Sequence, residues 1–349
     1  MYKQYPDIQI FRGVLFLLIL AFHSSTPYAN FGWGGVESFF VISAFFLVRK
    51  QWGNNELDVK KQFKHRISRL YPEYIAVLFI AVVYALLRRL IPYDFFVHLL
   101  SAQNFYWAVT NYKSTMSPIT AHTWTLSIEV WIGLLWLFFL KHFSKENFKK
   151  LALGMLLFGI VFRTGAIMAG FGALPVSLCP LAHVDAFACG SMLAICNREK
   201  KLGKGIAVLS ALGILGIIAC IAIMADRNQI SFLAAYQLLS SSKNYLVGWF
   251  TTNIYLFISL FTTGLVGVLY LCDDTNEGTG DSCLSKYFVL LGNHSYALYL
   301  FHWPILVTIK YIFKVWYITL PVTFVITLIV VILFNRFYDA FQIRFLKGD

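Results

Sequence analysis

The chain has 349 residues, 58% of them hydrophobic and 13% charged, with a mean hydropathy of +0.67 and a formal net charge of +12. An ordinary soluble domain carries charge on about a quarter of its residues, so this composition excludes one and describes helices solvated by lipid. The positive balance does not indicate nucleic acid, because no soluble stretch carries a basic stripe interleaved with aromatics.

Apolar runs of spanning length lie at about 8–27, 34–50, 71–91, 121–141, 149–170, 181–197, 205–225, 246–271, 288–310 and 318–338. They predict an all-α, polytopic transmembrane helix bundle of about ten spans, forming one integral-membrane domain over 1–349 with no fused soluble domain. Residues 92–110 are apolar but shorter and more polar, and read as an interfacial or re-entrant piece. The first run, FRGVLFLLILAFHSS from Phe11 to Ser25, is a retained helix rather than a cleaved leader, because Arg12 interrupts its apolar core and more spans follow. The six cysteines form no C-x-x-C pair, so neither a disulfide framework nor a zinc site is expected.

Lys and Arg in the short loops set the orientation. With the N-terminus inside, 20 of the 29 fall on the inner side, seven on the outer, and Arg12 and Arg163 within spans. Ten spans then return the C-terminus to the cytoplasm. The acidic stretch 273–281 also falls inside, but acidic residues carry little topological weight. The segment DVKKQFKHRISRLYPEY, 58–74, is inner and strongly basic, with Pro72 in the first turn of the next span. Its lysines suit an anchor on anionic lipid. Arg66 and Arg69 stand three apart on one helix face.

Arg12 and His23 are eleven residues apart, three helical turns, so both lie on one face about 16 Å apart along the axis. Either Arg12 snorkels to the headgroups with His23 at the opposite interface, or the stripe faces a protein interior or wet cavity. Glu37 in the second run and Glu129 in the fourth fall by topology at the depth of His23. That is an arrangement for a general base and its orienting acid. Each carboxylate could instead satisfy a neighbouring backbone group or tyrosine. No G-x-S-x-G, phosphate-binding P-loop or dinucleotide fingerprint occurs.

Six segments carry a family resemblance. Arg12 and His23 with ten residues between them, GGVESFFVISAFF, HRISRLYPEY, HTWTLSIEVW, HVDAFACGSMLA and NHSYALYLFHWPIL resemble, in order, the signatures of the acyltransferase 3 family; FNRFYDAF is a weaker match to its closing motif. Glu37 stands where the family usually has Asp, Ala44 for Gly, His183 for Arg in many members, and Asp339 for the closing Glu. The resemblance implies a membrane O-acyltransferase, independent of metal, that takes an acyl group, usually acetyl, from cytoplasmic acetyl-CoA. The acceptor would be a hydroxyl of a surface glycan or lipid-linked oligosaccharide, as in O-antigen or exopolysaccharide O-acetylation at a bacterial inner membrane, with other glycan-assembly proteins as possible partners. On this reading Arg66, Arg69 and Arg12 bind the donor. His23, Glu129, Arg12 and Glu37 carry the chemistry, His23 as base or acyl carrier and Glu129 as the group that orients it. The alternative is a proton-coupled secondary transporter or glycan-lipid flippase. Buried Arg, His and Glu also suit that function, but the chain lacks the two-half pseudo-repeat common in such carriers.

Overall fold

The computed structural model describes residues 5–110, 114–238, 245–275 and 282–345. Lys3, Lys113, Lys243, Lys347 and most of the acidic stretch 273–281 lie outside them. Eleven longer helices carry the fold: α1 Pro6–His23, α2 Gly35–Gln51, α3 Val59–Leu87, α4 Trp124–His142, α5 Lys145–Met168, α6 Val184–Arg198, α7 Ala207–Arg227, α8 Tyr245–Thr275, α9 Cys283–Asn293, α10 Ser295–Ile312 and α11 Trp316–Phe345. No strand occurs among the described residues. Lipid cannot satisfy a backbone N–H or C=O, so a chain of this hydropathy must close its hydrogen bonds within each segment.

Eight helices among the described residues are long and apolar enough to cross a membrane: α1 to α5, α7, α8 and α11. The chain is therefore a multi-pass membrane protein. Two of the ten expected spans take other forms. The run at 181–197 becomes a 3₁₀ turn, Pro180–His183, and the 15-residue α6, which is buried on nearly every face. The run at 288–310 breaks at His294 into α9 and α10. Polar and kinking residues interrupt its apolar character: Asn293, His294, Ser295, His302 and Pro304. The 92–110 stretch forms two short helices, Phe95–Leu99 and Gln103–Thr110, and no span.

The third helix starts a dozen residues before its apolar run. Asp58 caps it by accepting from Lys61 N at 2.9 Å. The basic segment is thus helical and continuous with the span, and Pro72 lies mid-helix rather than in the first turn. This continuity makes the basic segment a rigid arm that aims Arg66 and Arg69. Ser144 caps α5 in the same way, accepting from Asn147 N at 3.2 Å, which sharpens the α4–α5 hairpin.

The core is a bundle of α2 against α6, α1 against α9, α5 against α6, α7 against α8 and α10 against α11. Two glycines let helix backbones approach closely. A Cβ at Gly190 of α6 would overlap Val41 O of α2, and one at Gly292 of α9 would overlap Gln9 O of α1. The basic loops meet at one end of this bundle. Arg49 Nε donates to Asn197 Oδ1 at 3.0 Å, and Lys149 pairs with Glu199 at 2.7 Å.

Candidate active site

At the basic end the helices enclose a cavity of about 1450 Å³. The start of α1 contributes Gln9 and Arg12, the end of α2 Ser43, Arg49 and Lys50, and the start of α3 His65, Arg66, Arg69 and Glu73. Glu129 of α4 and Arg198 of α6 complete the charged wall, and Thr125 and Tyr299 stand among the remaining lining. Helix ends are where this can happen. Side chains there reach water and counter-ions, so five arginines can share one space at tolerable cost.

The guanidinium of Arg66, 7% exposed, is held from three sides. It pairs with Glu129 Oε2, donates from Nη2 to Ser43 Oγ at 3.0 Å and from Nε to Glu129 O at 3.2 Å. Ser43 Oγ in turn donates to Glu129 Oε2 at 2.8 Å. Gly133, one turn beyond Glu129, leaves room for this arrangement, since a Cβ there would lie 2.9 Å from Arg66 Nε. Arg12 Nη1 donates to Gln9 Oε1 of its own helix at 3.0 Å. Arg69 is exposed at the mouth. Arg49 donates to Tyr270 OH at 2.8 Å and lies over the rings of Tyr5 and Tyr270 at 5.3 and 5.0 Å.

The other end of α1 has a different character. His23 packs among rings: His302 at 5.3 Å, Trp303 at 4.7 Å and Phe22 at 5.0 Å between centroids. His122, in the turn before α4, lies 5.6 Å from His302 and stacks on Trp303 at 6.0 Å. Lys310 Nζ donates to His23 O at 2.6 Å and Ser25 Oγ at 3.0 Å, which caps the end of α1. A seam divides this cluster from the cavity. Tyr299 OH donates to His122 O at 2.8 Å, and Thr125 Oγ1 lies 3.3 Å from both atoms. Tyr299 and Thr125 line the cavity, whereas the three histidines do not.

The residues singled out from the sequence thus fall into three places. Arg12, Arg66, Arg69 and Glu129 share the cavity wall. His23 stands beyond the seam. Glu37 belongs to neither: its Oε2 lies 2.7 Å from His183 Nδ1 and its Oε1 accepts from Ser259 Oγ at 3.3 Å. Beside it Arg163 and Asp185 form a fully buried bidentate pair at 2.9 and 2.7 Å. The common depth expected for His23, Glu37 and Glu129 is not what the fold builds. Glu129 lies seven residues beyond His122, about 10 Å further along the helix, and reaches Arg66 instead of His23.

Sequence reading missed His122, His302 and Tyr299, although all three stand in segments it quoted. The cost of an ionisable group in an apolar run, applied to His23, applies equally to His122 and His302.

Residues 5–336 match the model of the acyltransferase 3 family, described as an acyltransferase domain. The chain is similar to the peptidoglycan O-acetyltransferase OatA of Listeria monocytogenes, 25% identical over 340 residues that cover 87% of this chain and 50% of that protein. The O-acetyltransferase OatA of Staphylococcus aureus is 20% identical over 331 residues, covering 87% and 51%. A protein of Acidianus two-tailed virus, provisionally named an acetyltransferase, is 24% identical over 318 residues, covering 86% and 84%. The chain spans about half the length of the two bacterial relatives. No solved structure matches it.

Proposed function

The chain belongs to the acyltransferase 3 family, and from that premise we propose that it moves an acetyl group from cytoplasmic acetyl-CoA to a hydroxyl of a surface glycan or its lipid-linked precursor. The single observation that carries this reading is the large cavity walled by arginines from four helices. CoA offers three phosphate groups on a long, slender, uncharged arm. Guanidinium groups bind phosphate through paired N–H donors, and a fork already fixed by Glu129 and Ser43 loses little freedom on binding. Arg69 and Arg198 take the nucleotide end at the mouth, and Arg12, deeper in, takes the arm or the thioester oxygen. The seam of Tyr299 and Thr125 stands where the acyl end would arrive.

In this reaction His23 is the general base. Its bare ring nitrogen takes the proton from the acceptor hydroxyl as that oxygen attacks the thioester carbonyl carbon. The C–S bond breaks, the new C–O ester forms, and the proton is returned to the thiolate as CoA leaves. Glu129 acts through Arg66 as a positioning residue for the donor. Glu37 holds His183, and through it the α2–α6 packing. The basic end of the bundle faces the cytoplasm, as loop charge favours, and the histidine end faces outward. A bacterial cell membrane fits the relatives named a peptidoglycan O-acetyltransferase and an O-acetyltransferase.

The test is release of free thiol from acetyl-CoA by the protein purified into lipid nanodiscs, with a water-soluble N-acetylglucosamine oligomer as acceptor. Acetyl ester should appear on the sugar in step with the thiol. Arg69→Gln, at an exposed site where folding is not at stake, should raise the KM for acetyl-CoA about three- to tenfold and leave kcat unchanged. Absence of thiol release by folded wild-type protein would overturn the reading.

A further inference from the structure

His23 needs a partner behind it, and the two carboxylates that the sequence offered are committed elsewhere. Glu129 is held by Arg66 and Ser43, and Glu37 by His183 and Ser259. Around His23 are His302 and Trp303 of α10 and Phe22 of its own helix, with the ammonium of Lys310 on its carbonyl and His122 next to His302. A lysine ammonium and an indole N–H donate only. Acceptors must come from the imidazoles.

The fold fixes which nitrogen of each imidazole is bare. Pro304 has no N–H, so in α10 the carbonyl of Leu300 loses its intrahelical donor. His122 Nε2 fills that place at 2.9 Å. A carbonyl can only accept, so the proton sits on Nε2 and His122 Nδ1 keeps its lone pair. His302 Nδ1 bonds the carbonyl of Tyr299, so its proton sits on Nδ1 and Nε2 keeps the lone pair. Both bare nitrogens, His122 Nδ1 and His302 Nε2, are buried without a partner. A buried orphan acceptor loses its bond to water and gains none in return. Two of them at the foot of a partly open His23 are not a feature that packing alone would favour.

Resting on the proposed acyl transfer, we infer that His302 is the positioning residue for His23: its Nε2 accepts the ring N–H of His23, leaving the other nitrogen of His23 bare to take the hydroxyl proton. His122 Nδ1 offers a second acceptor beside it. Two imidazoles joined by an N–H···N bond of about 3 Å, each nitrogen roughly 1 Å from its ring centre, have centroids about 5 Å apart. The observed spacing is 5.3 Å with the planes 70° apart, so with His302 held by the Tyr299 carbonyl the bond closes by a turn of the His23 ring about its last torsion. Catalytic hydrogen bonds commonly tighten in this way only when substrate is bound. The choice of a neutral acceptor has a reason. A carboxylate packed behind His23 would place a permanent charge in the apolar bundle, whereas an imidazole orients His23 without one.

The test uses the nanodisc enzyme and two nearly isosteric variants, His302→Gln and His302→Met. Gln places an amide oxygen near the position of Nε2; Met fills the same space with no comparable acceptor. We expect kcat for acetyl transfer to fall at least 100-fold in the Met variant and to recover at least tenfold from that level in the Gln variant. The KM for acetyl-CoA should stay within twofold of wild type in both, because the donor cavity is untouched. Equal kcat in the Gln and Met variants overturns the inference while leaving the proposed function intact. A wild-type enzyme that releases no thiol overturns both. Independently of any variant, ¹⁵N spectra of histidine-labelled wild-type protein should show His302 protonated on Nδ1 and bare on Nε2, and a proton on Nε2 would contradict the assignment.

Discussion

The two ends of α1 are built on opposite principles. Around Arg12 the bundle is wide and charged, with guanidinium groups from several helices facing one cavity and a carboxylate fixing one of them. Around His23 it is narrow and aromatic: His122 and His302 each bond one backbone carbonyl, and the Lys310 ammonium caps the end of α1. The first end can hold permanent charge because water and counter-ions reach it. The second keeps the ammonium of Lys310 at the helix end, and the groups packed inside it are imidazoles that are neutral between proton transfers. A polyanionic donor and a proton acceptor need these two environments, and the helix between them fixes their separation at about three turns.

The comparison can be broken most decisively at its neutral end. His23→Ala should abolish acetyl transfer, by about 10³-fold or more, while the protein still inserts and melts at the wild-type temperature. Near wild-type ester formation by that variant would mean that the imidazoles are only packing. The charged end should answer with stability rather than chemistry. Glu129→Gln strips the partner from Arg66 and should cost on the order of 2 kcal/mol, seen as a lower melting temperature together with a raised KM for acetyl-CoA. Replacing both residues at once, Arg66→Met with Glu129→Leu, should restore much of the melting temperature but not the donor affinity. If instead Glu129→Gln melts normally and loses only kcat, Glu129 works on His23 and the separation of the two ends fails. The smallest effect is expected outside the bundle. Bonds from Lys149 and Lys201 hold the Glu199 carboxyl below its ordinary range. A depressed folded-state value stabilises above the unfolded carboxylate range and is lost as the pH falls through the folded value, so this contribution should vanish only in acid. Because Glu199 is partly exposed and its pairs are reached by water, Glu199→Gln should melt within error of wild type at neutral pH. A large drop would show that the solvent-exposed pairs tie the helix ends as firmly as the cavity pair does.

Composition and apolar run length alone required a multi-pass helical bundle, since lipid leaves the backbone no other way to satisfy itself. They also placed Arg12 and His23 on one face, because helical periodicity is a local property. What they could not supply was depth and partnership across helices. Glu129 and Glu37 looked level with His23 because apolar runs do not mark where a helix begins to within a turn. A slip of two turns is enough to move a carboxylate from the imidazoles to Arg66. Pro72 read as the first turn of a span and lies mid-helix, because the Asp58 cap starts the helix a dozen residues earlier. The partners of His23 were hidden for a different reason. His122 and His302 are 180 residues apart in sequence, and a bare lone pair is not a property of a histidine. It follows from which carbonyl the other nitrogen meets, and only the packing of α10 against the start of α4 decides that.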